Sequence, residues 1–175
     1  VTSKHPNPVV NAGNDILVCE GASVTLTGSG ADNYNWDNGV TNGVSFNPSS
    51  TQTYTVIGTT VNGCTGTDQV DVEIEPLPVV SFDADNFNGC VPVTVTFTNT
   101  SSVPGTDCTW NFGDGSTASG CGQVTHTFND VGCFDVTLEV TSANGCTSNF
   151  TENDYICTSG YPIADFGFTP NDLTT

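Results

Sequence analysis

Eight cysteines are the most chemically versatile residues of this chain. They are widely spaced, without a short Cys-x-x-Cys pair of the kind that binds zinc. An even count at wide spacing in an acidic chain is typical of disulfides formed outside the cytosol. We therefore predict a disulfide-bonded extracellular protein. The cysteines are Cys19, Cys64, Cys90, Cys108, Cys121, Cys133, Cys146 and Cys157.

His126 and Asp114, together with a serine, are the residues that could imitate a hydrolase triad. The chain has no Gly-x-Ser-x-Gly sequence to present such a serine, and His126 lies between two threonines in a predicted strand. We therefore expect no catalysis. Instead, we predict that His126 donates a structural hydrogen bond to the turn Gly113-Asp114-Gly115.

Aspartates near this turn are candidate calcium ligands, because Ca²⁺ prefers carboxylate oxygens. The other interpretation is that Asp114 caps backbone N–H groups in a tight turn. The sequence has no EF-hand loop and no nonapeptide calcium repeat. We expect no cofactor, with calcium as the alternative. The candidate ligands are Asp107, Asp114, Asp130 and Asp135.

The charge of the chain excludes two classes of partner. Lys and Arg together number 1, Asp and Glu together number 19, and the formal net charge is −18. Nucleic acid is excluded as a partner, since phosphate neutralisation needs Lys and Arg. The same charge argues against docking on anionic lipid. No segment reaches the ~18 apolar residues of a membrane span, so we expect no direct membrane insertion.

The elements that must position these residues are short strands. Gly, Asn, Thr, Ser and Val dominate the composition and favour strands and turns. Apolar and polar residues alternate with period two in several segments separated by turn residues. This pattern predicts an all-β chain built from β-sandwiches. The clearest such segments are Ser23–Thr27, Thr53–Ile57, Gln69–Ile74, Val91–Phe97, Val124–Phe128 and Phe134–Val140.

Two series of strands look like copies of one unit. Each has a cysteine before its first strong strand, Cys19 or Cys90, and one tryptophan, Trp36 or Trp110. A tryptophan in this position normally fills the core of a sandwich, although an exposed one could stack on a sugar. Each series closes with an Asn-Gly-Cys turn, which predicts the last hairpin of a sandwich, strands F and G.

The repeats define the predicted domain boundaries. Residues 6–76 form a first sandwich and residues 77–160 a second. Residues 1–5 are read as the tail of a preceding repeat, and residues 161–175 as the first strand of a following one. The first residues lack the apolar core of a signal peptide, so the chain is expected to be mature or excised from a longer protein.

Three motifs of the second unit carry a resemblance to a known family. The segment Trp110-Asn111-Phe112-Gly113-Asp114-Gly115 is followed by Thr125-His126-Thr127-Phe128 and by Gly132-Cys133-Phe134-Asp135-Val136. Together they resemble the PKD (polycystic kidney disease-type) domain over residues 77–160. Residues 6–76 resemble the Ig-like or PKD-like repeats of bacterial surface proteins, with Trp36-Asp37-Asn38-Gly39 in place of the full turn. Tandem units of this kind are similar to the giant adhesins of gliding bacteria that the type nine secretion system exports.

The resemblance implies a fold and a function. It implies tandem seven-stranded Ig-like sandwiches without catalytic activity, at the extracellular cell surface. Such a segment would be a structural and adhesive spacer that projects a binding tip. Its partners would be neighbouring repeats, a surface polysaccharide or another cell-surface protein. The alternative is an accessory carbohydrate- or substrate-binding PKD module of a secreted hydrolase.

Two disulfides are expected inside the PKD-like unit. A hairpin through the Gly113-Asp114-Gly115 turn brings Cys108 and Cys121 side by side. Strands F and G are antiparallel neighbours, so Cys133 at the start of F should meet Cys157 at the end of G. We predict these two pairs.

The other four cysteines leave two pairings open. The simple answer joins Cys19 to Cys64 and Cys90 to Cys146 within each unit. In an Ig-like sandwich, however, the A–B and F–G turns lie at opposite ends of the strands, and disulfide Cα atoms must come within about 7 Å. The alternative is a Cys19–Cys146 bond between units, with Cys64 and Cys90 bonded to the preceding and following repeats.

Overall fold

A computed structural model describes residues 6–103 and 105–162, and every regular element in that part of the chain is a β-strand. The chain divides into two compact units, Val1–Leu77 and Pro78–Thr175. The predicted tail at residues 1–5 lies outside the described residues. So does the predicted following repeat at 161–175, apart from Tyr161 and Pro162.

Unit 1 is a sandwich of a four-stranded sheet, in the order β1-β6-β5-β3, and the antiparallel pair β2-β4. In β5 and β6 every second side chain points into the core, which is the burial pattern of a half-buried strand. The core includes Trp36, Tyr54 and Val56. The strands are β1 (Ile16–Cys19), β2 (Val24–Thr25), β3 (Asn33–Trp36), β4 (Ser45–Phe46), β5 (Gln52–Thr59) and β6 (Thr65–Glu75).

Unit 2 is a larger sandwich with a five-stranded sheet, in the order β11-β10-β13-β14-β8, and a three-stranded sheet, in the order β12-β9-β7. Its core is built around the fully buried Trp110, with Phe97, Phe112 and Phe128. The strands are β7 (Phe82–Ala84), β8 (Asn88–Cys90), β9 (Val93–Asn99), β10 (Asp107–Asn111), β11 (Thr117–Ser119), β12 (Gln123–Phe128), β13 (Gly132–Thr141) and β14 (Thr147–Ser159).

In both units the last two strands form the hairpin that the Asn-Gly-Cys turns predict. Strands β5 and β6 pair from Thr59↔Thr65, and β13 and β14 pair from Thr141↔Thr147. The turn in unit 2 is closed by hydrogen bonds from Ser142 N–H to the Cys146 carbonyl and from Gly145 N–H to the Ser142 carbonyl. The all-β prediction is confirmed.

The strands at the start of each unit are arranged differently from those of a simple seven-stranded sandwich. In unit 2 the first strand is divided, so that β7 pairs antiparallel with β9 while β8 pairs in parallel with the last strand β14. In unit 1 the short β1 makes the equivalent parallel ladder with β6. The described part of unit 1 thus has six strands and unit 2 has eight. The parallel ladders tie the beginning of each unit to its end.

Candidate functional site

The strongest sequence motif of unit 2 forms a tight turn between β10 and β11. The Phe112 N–H donates to the Ser116 carbonyl, and the Gly113 N–H donates to Asn111 Oδ1. Asp114 Oδ1 accepts the Ser116 N–H at 2.9 Å. Gly113 and Gly115 have φ values of 77° and 90°, a left-handed conformation that favours glycine. The Gly-Asp-Gly spacing thus follows from the shape of the turn.

His126 is fixed against this turn from the neighbouring strand β12. Its Nε2 donates to Asp114 Oδ2 over 2.6 Å, because an ionised carboxylate can only accept. Its ring is stacked on Phe112 with centroids 4.2 Å apart. The exposed side-chain fractions of His126 and Asp114 are 15% and 12%. The pair is a packed structural contact, and no serine hydroxyl contacts His126 in the described part of the chain.

The pKa of Asp114 is lowered by a balance of opposing effects. Partial burial acts to raise the pKa, but the hydrogen bonds from His126 and Ser116 and the charge of His126 outweigh it. The ionised carboxylate is therefore favoured in the folded protein. Because the folded pKa lies below the unfolded value of about 3.9, this group stabilises the fold above that value and stops doing so as pH falls through its folded pKa.

Replacing this carboxylate tests its structural role. We expect Asp114→Ala to lower the unfolding free energy of unit 2 by about 1–3 kcal/mol at pH 7, since two partly buried donors, His126 Nε2 and the Ser116 N–H, lose their acceptor. Asp114→Asn should cost less, because its amide oxygen can still accept the Ser116 N–H. Urea unfolding at pH 7 and pH 3 measures both effects. The difference between wild type and Asp114→Asn should shrink at pH 3, and a difference that grows on acidification would contradict the pKa direction.

The four candidate calcium ligands are not brought together. Asp107 pairs with Thr141 at the opposite end of β10 from the turn. Asp135 Oδ1 accepts the Asp154 N–H at 2.7 Å. Asp130 uses its backbone carbonyl to accept the Thr158 hydroxyl. Within residues 6–103 and 105–162, no three His, Cys, Asp or Glu form a group that could hold a metal ion. Asp107 lies at the far end of β10 from the turn, so the described structure does not bring all four candidate ligands, Asp107, Asp114, Asp130 and Asp135, to one shared site.

Both tryptophans are buried rather than available for sugar stacking. Trp110 is fully buried and donates its indole N–H to the Gly120 carbonyl at 2.9 Å. Trp36 is buried and donates to Asn42 Oδ1 at 3.0 Å. A buried indole whose N–H is satisfied by protein acts as a core residue.

Two disulfides lie inside unit 2. Cys108 and Cys121 are joined across the hairpin that carries the Gly113-Asp114-Gly115 turn, with an S–S distance of 2.04 Å. Cys133 and Cys157 are directly opposite each other in the β13–β14 ladder and are joined with an S–S distance of 2.01 Å. The bonds therefore close the β10–β11 hairpin and the β13–β14 hairpin separately.

Strand register excludes the two pairings within units, Cys19–Cys64 and Cys90–Cys146. Cys19 lies opposite Glu75 at the end of β6, whereas Cys64 immediately precedes the start of β6. At about 3.3 Å per residue, this strand separates them by more than 30 Å. Likewise, Cys90 lies opposite Ser159 at the end of β14, and Cys146 precedes the start of β14. The Cys19–Cys146 bond stays a prediction.

A row of aromatic residues at the β14 edge of unit 2 was not found by the sequence analysis. Tyr155 and Phe150 pack on the buried Phe82, and Phe87 packs on Tyr155, with ring centroids 5.3 to 6.0 Å apart. Phe87 and Phe150 are exposed. The sequence signal of this aromatic group is weak because Phe82, Phe87 and the two β14 residues come from three separate segments. The break in apolar–polar alternation at Asn153-Asp154 is the sequence feature that indicates the irregularity of β14 at this point.

Comparisons with known proteins agree with this architecture. Residues 75–157 match the family model described as PKD domain. No curated protein matches the chain. Among solved structures, the PKD1 domain of Vibrio anguillarum Epp is 23% identical, with 47% of this chain and 96% of that chain covered and a TM-score of 0.40. The PKD1 domain of the Vibrio cholerae metalloprotease PrtV is 27% identical, with 47% and 99% covered and a TM-score of 0.39.

A broader structural likeness covers both units. The N-terminal eight Ig domains of Down Syndrome Cell Adhesion Molecule match with 16% identity and a TM-score of 0.56, covering 84% of this chain and 27% of that one. The prediction of Ig-like β-sandwiches is confirmed. The described part of the chain has no helix long and apolar enough to cross a membrane. The findings support a PKD-type domain at residues 75–157 of an all-β, Ig-like chain, a kind of module that is generally non-catalytic and typical of disulfide-bonded extracellular proteins.

Proposed function

We propose that this chain is a non-catalytic, load-bearing segment of a long secreted repeat protein at a cell surface. It acts as a stiff spacer that projects a binding tip, as in the gliding adhesins that it resembles. Export by the type nine secretion system and a role in gliding motility or in a surface filament belong to this proposal. The alternative is an accessory module of a secreted hydrolase.

The parallel ladder in each unit is the observation that carries the proposal. In unit 1 it joins β1 to β6 from Ile16↔Val72 to Cys19↔Glu75, and in unit 2 it joins β8 to β14. When a chain is pulled from both ends, its first and last strands move in opposite directions along their length. Parallel strands then slide, so that all of their hydrogen bonds are loaded together rather than broken one by one. This arrangement favours resistance to force.

Charge and disulfides support the same role. A net charge of −18 opposes collapse and favours an extended, soluble string of units. The two disulfides of unit 2 keep the β10–β11 hairpin and the β13–β14 hairpin closed. The predicted Cys19–Cys146 bond, which belongs to this proposal, would tie the two units covalently, and residues 20–145 would come under load only when that bond is reduced.

A proline substitution can remove one bond of the unit 1 ladder selectively. The Glu20 N–H donates to the Glu75 carbonyl at 2.8 Å. Glu20 is also the second residue of a turn closed by Ala22 N–H and the Cys19 carbonyl, with Gly21 at φ 81°. Proline is favoured at the second position of such a turn. In a Cys19→Ser/Cys146→Ser background, in which the pulling force cannot bypass unit 1 through the predicted bond, we expect Glu20→Pro to lower the force at which unit 1 unfolds in single-molecule stretching, while its stability in urea changes little.

Val61→Pro is the matched control. Val61 is the second residue of the F–G turn, and its N–H donates to Asp32 Oδ2 at 2.8 Å, outside the parallel ladder. Both variants thus place proline in a turn and remove one backbone donor. Equal unfolding forces for the two variants would contradict the load-bearing role. Binding of the chain to a polysaccharide on a glycan array would instead favour the accessory-module alternative.

A further inference from the structure

The last strand of unit 2 has one edge that is covered along only part of its length. Strand β14 pairs with β13 from Thr147 to Thr158, whereas β8 covers its other side only from Cys157 to Ser159. In the described part of the chain, no strand pairs with that side of residues 147–153. Unpaired edges of this kind are templates for pairing with another chain.

The phase of the hairpin shows which backbone groups face the open edge. The Ser142 N–H donates to the Cys146 carbonyl, and in an antiparallel ladder hydrogen-bonded and non-hydrogen-bonded pairs alternate. Counting from Cys146, the N–H and C=O groups of Thr147, Asn149 and Thr151 point away from β13. Cys157 has the same phase, since its N–H donates outward to the Phe87 carbonyl at 2.9 Å.

The equivalent edge of unit 1 is blocked by the chain itself. The Asp71 N–H donates to Asp15 Oδ1 at 2.9 Å, and the Ala12 N–H donates to Asp68 Oδ2 at 2.8 Å. Hydrogen bonds from the N–H groups of Ala12 and Gln69 lower the pKa of Asp68. Two carboxylates and the segment around Ala12 thus occupy the outward edge of β6. The open edge of β14 is therefore a specific feature of unit 2.

An apolar surface adjoins the open edge. Phe150 pairs with the buried Leu138, so it lies on the core side of the sheet, yet it is 39% exposed. Its ring packs on Phe82, which also contacts Tyr155, and Tyr155 contacts Phe87, which is 49% exposed. A strand added beside β14 would cover Phe150 with every second side chain.

The surroundings of this edge are acidic. Burial, the charge of Asp83 and the charge of Glu152 raise the pKa of Tyr155, against a hydrogen bond from the Ala84 backbone, so both carboxylates act on this surface. Glu139 pairs with Asn149 on the outer face of the sheet. The only Lys of the chain is Lys4, far away in sequence, and Arg is absent. This charge disfavours a second copy of the chain and favours a basic partner.

We propose that the open edge of β14 at residues 147–153 binds an extended basic peptide segment of a partner protein by strand addition. Backbone hydrogen bonds to Thr147, Asn149 and Thr151 provide the pairing, and alternate apolar side chains of the partner cover Phe150. Its basic side chains complement the acidic surroundings. The proposal adds a binding surface to the spacer and does not depend on mechanical strength.

The test uses the full chain and synthetic peptides as probes. The probe Lys-Val-Lys-Phe-Lys-Val-Lys has the required charge and alternation. One control replaces each lysine by glutamate, and a second places the same residues in a non-alternating order. We expect the basic alternating peptide to bind at least tenfold more tightly than either control, and hydrogen exchange at Thr147, Asn149 and Thr151 to slow when it is bound.

Matched proline variants locate the site. Asn149→Pro removes an outward N–H at an edge position, where proline is tolerated, and should weaken binding at least tenfold. Thr67→Pro changes an outward position of the blocked edge in unit 1 and should leave binding unchanged. Circular dichroism checks that both variants fold. Equal binding of the acidic peptide, unchanged binding to Asn149→Pro, or protection elsewhere than residues 147–153 would overturn the proposal, and so would the absence of binding to any peptide.

Discussion

Replacing Gly113 with alanine is expected to lower the unfolding free energy of unit 2 by about 2–4 kcal/mol. An added Cβ would lie 2.5 Å from the carbonyl oxygen of Asp135 and 2.9 Å from its nitrogen. These are backbone atoms of β13 and cannot rotate away, so the sheet must shift, at a typical cost of about 1–3 kcal/mol. The φ of 77° adds about 1 kcal/mol of strain for a residue with a side chain.

Gly115→Ala separates steric contact from backbone strain. Gly115 has a similar φ of 90°, but a Cβ there would meet nothing within 4 Å. Its alanine variant should therefore lose only about 1 kcal/mol. Urea unfolding followed by Trp110 fluorescence, with both variants in a Trp36→Phe background, reports on unit 2. Equal losses at the two glycines would show that the approach of Asp135 does not matter.

In a Cys19→Ser/Cys146→Ser background, which removes the predicted Cys19–Cys146 bond, reduction of the other disulfides is expected to lengthen the unfolded form of unit 2 by about 120 Å. The bonds Cys108–Cys121 and Cys133–Cys157 close sequence separations of 13 and 24 residues. Closed loops cannot extend under force, and each residue contributes at most about 3.3–3.6 Å. Single-molecule stretching with and without a reductant measures this difference as the contour length gained when unit 2 unfolds.

A double variant shows how much of the added contour length comes from each disulfide. When Cys108→Ser/Cys121→Ser is added to the same background, only the larger loop remains, so reduction should add about 80 Å. Each bond also stabilises the fold by about 3 kcal/mol in the chain-entropy model, so the double variant should unfold at a lower urea concentration. A contour length that does not change on reduction would mean that these bonds are absent from the protein in solution.

The sequence predicts the long strands of the fold well and the short ones poorly. Alternation over Gln69–Ile74 and Phe134–Val140 is strong because these strands have one buried and one exposed face. Strands β1 and β8 have only four and three residues. They form because the edges of the distant strands β6 and β14 are available for pairing. The local residue pattern carries no information about such a distant partner.

In the candidate site, too, features set by neighbouring residues are predictable from the sequence, whereas features set by contacts between distant segments are not. The Gly113-Asp114-Gly115 turn is set by φ values that few other residues adopt, so its glycines are visible in the sequence. The positions of Asp107 and Asp130 depend instead on which strand ends meet. The open edge of β14 depends on where β8 stops pairing, at Cys157. No local pattern encodes the length of that contact.

The Cys133–Cys157 bond has a consequence for how quickly unit 2 recovers after it is pulled apart. The bond joins directly opposed residues of β13 and β14 and therefore keeps these strands as neighbours in the unfolded chain. Refolding speed falls as contacts become more distant in sequence, because closing a long loop costs entropy. Because the disulfide already holds these two strands together, the pairing of β13 with β14 does not require a long loop to close. If the chain bears load as proposed, we expect unit 2 to return to its folded length quickly after each forced unfolding, so that one event of overload does not end its mechanical use.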